Sequence, residues 1–458
     1  MNNLAIKSIN PANDEEIKSY PVMNDKEISK IISLSNDDYQ NWKETDFSER
    51  SIRMKRAGQI LRKNKEALGK LMTFEMGKPI LQSESEIEKC AWVCDYFAEN
   101  AEKFLEDEII ATDASKSFVA YKPLGVVLAV MPWNFPFWQV FRFAAPNLMA
   151  GNAGVLKHSS NVTGCALAIE DIFREAGFPE NIFRTLVLPS QRIKEVIHNK
   201  NIKAVTITGS VAAGKSVAAL AGEVLKKTVL ELGGSDPYLV LEDANLEQAA
   251  GTCATSRLIN GGQSCIAAKR FIIVEEVYKE FEALFIQKMK NKKMGDPLDT
   301  ANDLGPQART DLRNELHEQV QRSIDQGAKL LLGGNIPDMK GAYYPPTVLT
   351  EIRPGMPAYD EELFGPVAAL IRVKNEEEGI RIANDSEFGL GAAVFTSDLK
   401  RGEKIAKEKI NSGSCFVNDF VKSDPRLPFG GIKESGYGRE LSPFGIKEFM
   451  NIKTVYIK

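Results

Sequence analysis

A chain of 458 residues, 43% hydrophobic and 26% charged, can fill two lobes and resembles ordinary globular proteins, which excludes a disordered or fibrous reading. Its net charge of -4, with both signs intermixed, gives no field for nucleic acid or an anionic membrane, and no apolar run is long enough to span a bilayer, so small-molecule partners and a cytoplasmic location are expected. Six scattered cysteines and only three histidines offer neither disulfide nor zinc spacing; no metal is expected, and the chemistry narrows to a thiol or carboxylates.

The opening residues, MNNLAIKSIN, lack the apolar stretch of a secretory signal. Residues 25 to 107 read as mainly helical, since Ser51 to Met76 and Glu84 to Phe104 repeat apolar residues at three- and four-residue spacings. From Val119 the pattern changes to short apolar runs alternating with amphipathic stretches: GVVLAV, a helix after Pro136, AGVLK, a helix from Val162, RTLVLP, a helix from Arg192, and KAVTIT before another helix. That alternation predicts a doubly wound parallel sheet. After Glu231 it resumes with YLVL, a helix near Leu246 to Ile259, RFIIV, a helix to Met289, then VAALIRV, AAVFT and SCFVN, which predicts a second α/β lobe. Lys116 to Val127 has the composition of a projecting hairpin, and with the final MNIKTVYIK it is the expected contact between subunits.

Four segments carry residues suited to chemistry. In KAVTITGSVAAG the strand ends at Gly209 and Ser210, and the next helix contains Gly214, so free backbone N–H groups and a helix N-terminus are available for a diphosphate. The G-x-G-x-x-G fingerprint is absent, and a plain strand-to-helix connection remains the alternative. Cys265 lies in GGQSCIAAKR, whose paired glycines are expected to let the backbone approach a substrate; a core cysteine is the alternative. Asn134 in MPWNFPFW can equally start a turn, and Glu231 in LELGGSDP can equally be a solvated acid.

Taken together and in order, MPWNFP, the lysine of VLKHSS, TGS-x-x-x-G, ELGG, GGQSC, EELFGPV and LPFGGIKESGYGRE resemble the aldehyde dehydrogenase superfamily from about Val119 onward. The resemblance implies an α/β fold of two doubly wound lobes, a Rossmann-like cofactor domain (1-115 and 136-230) and a catalytic domain (231-425), with a small β oligomerisation arm and C-terminal segment (116-135 and 426-458). It implies a homodimer or homotetramer. It also implies that Cys265 attacks an aldehyde, that Asn134 and the Cys265 N–H stabilise the oxyanion, and that Glu231 activates the water that releases the acid. Cofactor contacts follow in the same way: Trp133, Lys157, Ser160, Gly209, Ser210, Gly214, Leu232, Glu362 on the nicotinamide ribose and Phe364 against the ring.

NAD-preferring relatives carry a glutamate at the position of Ser160. Serine there removes a repulsion that a 2′-phosphate would meet, and Lys157 adds an attraction, so NADP is expected to be accepted alongside or ahead of NAD. Trp138 and Arg142 share one helix face, and Arg142 is expected to grip a distal carboxylate with Ser423 as a second contact. The pattern is similar to that of bacterial succinate-semialdehyde dehydrogenases and implies succinate semialdehyde. Two alternatives stay open: an enzyme that passes the acyl group to phosphate or coenzyme A, against which Glu231 argues, and a nucleotide-binding relative without activity.

Overall fold

The computed structural model describes residues 5–458; the first four residues of the expected 1-115 segment, and of the opening stretch, lie outside it. Two large sheets organise the chain. The first has six strands, in the order Gly436–Tyr437, Lys227–Glu231, Ile202–Thr208, Val126–Met131, Ala153–His158 and Phe183–Thr185. All neighbours are parallel except Gly436–Tyr437, which runs antiparallel to Lys227–Glu231. Val126–Met131 sits in the middle, is almost wholly buried, and therefore reads as an unbroken apolar run.

Helices Asp25–Trp42, Phe47–Lys63, Lys65–Met76 and Ile80–Phe104 form the expected helical N-terminal region, and their apolar faces join the same core as this sheet. Helix Lys65–Met76 ends at Gly77, whose left-handed φ of 81° stops it.

The second sheet has seven strands: Lys329–Leu332, Thr347–Thr350, Val367–Val373, Arg270–Val274, Pro237–Val240, Gly391–Phe395 and Ser414–Val417. It is parallel apart from the first pair. Helices such as Leu246–Leu258 and Glu275–Lys290 cover one face, and separate apolar clusters fill the two sides. This is the expected pair of α/β lobes.

The expected hairpin over Lys116 to Val127 is not formed. Lys116–Pro123 pairs antiparallel with Met450–Ile457 and with Glu108–Ile109 in a small three-stranded sheet, whereas Val126–Met131 belongs to the six-stranded one. Leu124 and Gly125 carry the chain between them, and a Cβ on Gly125, at φ +135°, would lie 2.8 Å from Lys203. The expected arm boundary at 135 thus takes in a central strand of the cofactor lobe. Among the described residues no helix is long and apolar enough to cross a membrane.

Candidate active site

In the six-stranded sheet the strand order turns back between Val126–Met131 and Ile202–Thr208, the switch point at which open α/β sheets bind ligands beyond their carboxyl ends. The loops leaving those two strands carry Pro132, Trp133, Asn134 and Gly209, Ser210. These residues, with Thr208, Leu232, Gly233, Leu312, Glu362, Phe364 and Cys265, line a cavity of about 230 Å³. Trp133 and Phe364 meet edge to face at 5.6 Å between ring centres.

The features of this cavity suit a nicotinamide dinucleotide. Ser210 caps helix Val211–Glu223 by accepting from the Ala213 N–H, which leaves the Val211 and Ala212 amides without a protein acceptor among the described residues. At Gly209 a Cβ would meet no protein atom closer than 3.8 Å, so internal packing does not require glycine there, and the open side suits the close approach of a diphosphate. Glu362 accepts from the Gly234 N–H at 2.9 Å and faces Lys269 Nζ at 3.4 Å, a fixed carboxylate suited to ribose hydroxyls.

Gly214 has a different reason from the one expected. Its N–H donates to the Ser210 carbonyl within the helix, and a Cβ would fall 2.4 Å from Leu232, so this glycine packs the helix against the chain and offers no donor to a ligand. Lys157 lies near the end of the neighbouring strand Ala153–His158 and Ser160 just beyond it, and neither lines the cavity. Lys157 Nζ donates to Ser190 Oγ at 2.9 Å, and burial lowers its ammonium to about 8.

Cys265 lies where this cavity meets a second one of about 430 Å³, since it lines both. A bend built from Asn260 (φ 54°), Gly261 (φ 61°) and Gly262 (φ 75°) presents it. The paired glycines do not serve the substrate directly, as had been expected. At Gly262 a Cβ would sit 2.2 Å from the Gly365 carbonyl oxygen, so that residue brings the Cys265 loop against the loop bearing Glu362 and Phe364. Lys269, four residues beyond and just before strand Arg270–Val274, donates to the Ser264 and Cys265 carbonyls at 2.9 and 2.7 Å. Burial pushes the Cys265 thiol up to about 12 against the pull of Lys269 and Arg142, so the resting sulfur is a thiol.

Asn134 is fixed from both ends: its Nδ2 donates to the Gln263 carbonyl at 3.1 Å, and its own carbonyl accepts from Asn260 Nδ2 at 2.6 Å. One Nδ2 hydrogen remains for a ligand, and the Cys265 N–H has no acceptor among the described residues. His158 holds the same loop. Its Nδ1 accepts from the Ser159 N–H, so Nε2–H donates to the Pro136 carbonyl, and burial lowers its pKa to about 4. Beyond it, Glu86 Oε1 accepts from the Phe137 and Trp138 N–H groups and anchors the start of helix Trp138–Met149.

Glu231 ends its strand beside Leu232, but its carboxylate lines neither cavity. It is buried without a hydrogen-bond partner, in a recess where a Cβ on Gly430 would come within 2.6 Å of Oε1. Burial first and the buried Glu440 second hold its carboxyl well above the usual range, against Arg142 and Arg439. The expected trio is therefore not convergent as it stands. Cys265 and Asn134 share a cavity wall, and the Glu231 carboxylate sits apart from both in its recess.

The larger cavity is walled by Trp138, Arg142 and Ser423, together with Gln82, Lys89, Phe135 and Phe420. Arg142 departs from expectation: its Nε forms an ion pair with Glu440, both groups being buried, and its guanidinium lies 4.5 Å from the Phe429 ring centre. Its Nη2 donates to Thr208 Oγ1 at 3.4 Å, and the residue still lines the cavity. Sequence reasoning missed Lys89, Lys269, Asn260 and Glu440.

The family model described as "Aldehyde dehydrogenase family" matches residues 2–455. The chain is 48% identical over 454 residues, 99% of its length and 100% of the relative's, to a Synechocystis sp. protein named "Probable succinate-semialdehyde dehydrogenase (NADP+)". It is 45% identical over 449 residues, 98% of its length and 97% of the relative's, to the Escherichia coli succinate semialdehyde dehydrogenase Sad, which is named for NAD(P)+. A crystal structure of the Streptococcus pyogenes succinic semialdehyde dehydrogenase with NADP+ superposes with a TM-score of 0.97 at 36% identity, covering 99% of this chain and 100% of that one.

Proposed function

This chain belongs to the aldehyde dehydrogenase family, and from that premise we propose that it oxidises succinate semialdehyde to succinate with NADP or NAD. The observation that carries the substrate is the cavity of about 430 Å³ that reaches Cys265 and combines apolar walls with the basic groups of Lys89 and Arg142. Apolar walls suit a short carbon chain, and a basic wall suits a carboxylate at its far end. The names of the relatives point to the same substrate.

In this reading Cys265, once deprotonated, adds to the aldehyde carbon, and the oxygen takes the spare hydrogen of Asn134 Nδ2 and the Cys265 N–H. A nicotinamide bound in the neighbouring cavity would supply the acceptor for the hydride that the adduct carbon loses in becoming a thioester. Trp133, Glu362 and Phe364 would hold the nicotinamide end in the cavity that Cys265 lines, and the Val211 and Ala212 amides would take the diphosphate. Glu231 leaves the Gly430 recess, removes a proton from water, and the water oxygen displaces the Cys265 sulfur to give the free acid. Lys157 and Ser160 lie on the side where an adenosine ribose would extend, and Ser160 leaves space and no repulsion for a 2′-phosphate.

We assign the mostly exposed edge strand Met450–Ile457 to the contact of a homodimer or homotetramer. A cytoplasmic site of action belongs to the same reading. The test is a screen of semialdehydes against simple aliphatic and aromatic aldehydes with NAD and NADP in parallel, with product identified. Preferential formation of succinate as free acid is expected; an acyl phosphate or acyl thioester product, or no gain from a distal carboxylate, would overturn the proposal.

A further inference from the structure

The expected carboxylate anchor, Arg142, is already paired with Glu440. Lys89 is different. It comes from helix Ile80–Phe104, and its Nζ donates to Ser423 Oγ, 334 residues away in sequence, at 2.8 Å while lying 4.2 Å from the centre of the Trp138 ring. A neutral hydroxyl and an aromatic face are good neighbours for a cation, but neither supplies a negative charge. Among the described residues no carboxylate lies within ion-pair distance of Lys89.

The acids closest in electrostatic effect are Glu86 and Asp424, and both are engaged elsewhere. Glu86 serves Lys78 and the amides of Phe137 and Trp138; Asp424 serves Arg426. A partly buried ammonium in the wall of a largely apolar cavity thus lacks a counter-charge, and a ligand carboxylate would supply one. Burial and the neighbouring Arg142 guanidinium bring this ammonium down to about 8.

We propose that Lys89 is a specificity residue that receives the distal carboxylate of the substrate, with Ser423 and Trp138 holding its ammonium in place. The proposal rests on the reading of the substrate as a carboxylate-bearing semialdehyde. It changes the division of labour in the cavity, because Ser423 then acts through Lys89 as a positioning residue.

The test compares kcat/KM for succinate semialdehyde with kcat/KM for butanal, which has the same chain length and no carboxylate. Their ratio cancels the ionisation of Cys265 and Glu231, which both substrates need. The other groups facing Lys89 are the paired Arg142, Glu86 and Asp424 and the buried Cys90 thiol, which burial pushes well up. In the native enzyme the ratio is expected to fall as pH rises through about 8, because free Lys89 then loses its proton. Lys89→Met should lower the ratio at pH 7 about 100-fold and abolish the alkaline fall, the loss expected when a charged hydrogen bond is removed. Lys89→Arg should keep the ratio high above pH 8.

A native enzyme that favours the semialdehyde with a ratio flat across pH 8, or a Lys89→Met variant with the native ratio, would overturn the role of Lys89 and leave the substrate reading standing. A native enzyme with no preference for the semialdehyde over butanal would overturn both. The native pH profile needs no variant, so poor folding of a substituted protein cannot decide the matter.

Discussion

Replacing Gly262 by alanine, with Gly261→Ala as its control, isolates what a single backbone contact does for the site. Both glycines have left-handed φ, 75° and 61°, so each alanine costs about 1–2 kcal/mol of backbone strain. They differ in what a methyl group would meet. At Gly261 the nearest atom is Gln307 Nε2 at 3.4 Å, an ordinary contact with a side chain; at Gly262 it is the Gly365 carbonyl oxygen at 2.2 Å. Carbon and carbonyl oxygen approach to about 3.3–3.6 Å, so the two loops must part by roughly 1 Å. One carries Cys265 and the other Glu362 and Phe364. A displacement of that size at reacting groups costs about 100-fold in rate. Gly261→Ala should therefore lower Tm but hold kcat/KM within about threefold, the strain being local. Gly262→Ala should lower kcat/KM about 100-fold and weaken cofactor binding besides. Reduced-cofactor absorbance, titration calorimetry and a thermal melt measure the three quantities. Equal losses of activity in the two variants, or native activity in Gly262→Ala, would refute the reasoning.

Glu231→Gln should form the thioester and fail to release it, so that one equivalent of reduced cofactor appears in a burst and mass spectrometry finds an acyl group on Cys265; steady turnover at the native rate would remove Glu231 from deacylation. Ser160→Glu should lower kcat/KM with NADP at least about tenfold through repulsion of the 2′-phosphate and leave NAD much less affected; parallel assays with the two cofactors decide it. The His158 pKa, lowered to about 4 in the folded protein, makes the unfolded chain the better proton binder below about 6.5. Its contribution is then intact above pH 6.5 and is lost as pH falls toward 4, by about 3 kcal/mol in full. Denaturant titrations of native protein and of a His158→Gln variant should show a shallower acid loss in the variant.

Much of the fold was legible because parallel strands buried on both faces are nearly continuous apolar runs. Val126–Met131, Arg270–Val274 and Val367–Val373 declare themselves without any partner being known. The segment Lys116 to Val127 misled because two adjacent strands joined by Leu124-Gly125 look the same in sequence whether they pair with each other or enter separate sheets. Glycines misled in a related way: what Gly214 and Gly262 make room for, Leu232 and the Gly365 carbonyl, comes from elsewhere in the chain. Lys89 and Glu440 stayed hidden because a charge on an amphipathic helix or in a polar loop reads as solvent-facing. Their neighbours Ser423 and Arg142 lie 334 and 298 residues away, and only folding shows that one pair is a counter-ion match and the other is not.

Residues 423 to 440 supply Ser423 to the substrate cavity, Gly430 to the recess of Glu231 and Glu440 to Arg142. Each of these comes after all the other groups of the site in the order of synthesis. The five parallel strands of the first sheet and the segment bearing Cys265 are all synthesised before those pieces arrive. In the proposed mechanism, water activation is the last capability the nascent enzyme acquires, and a chain halted before residue 423 would hold its sulfur with no finished place for either the substrate or the proton.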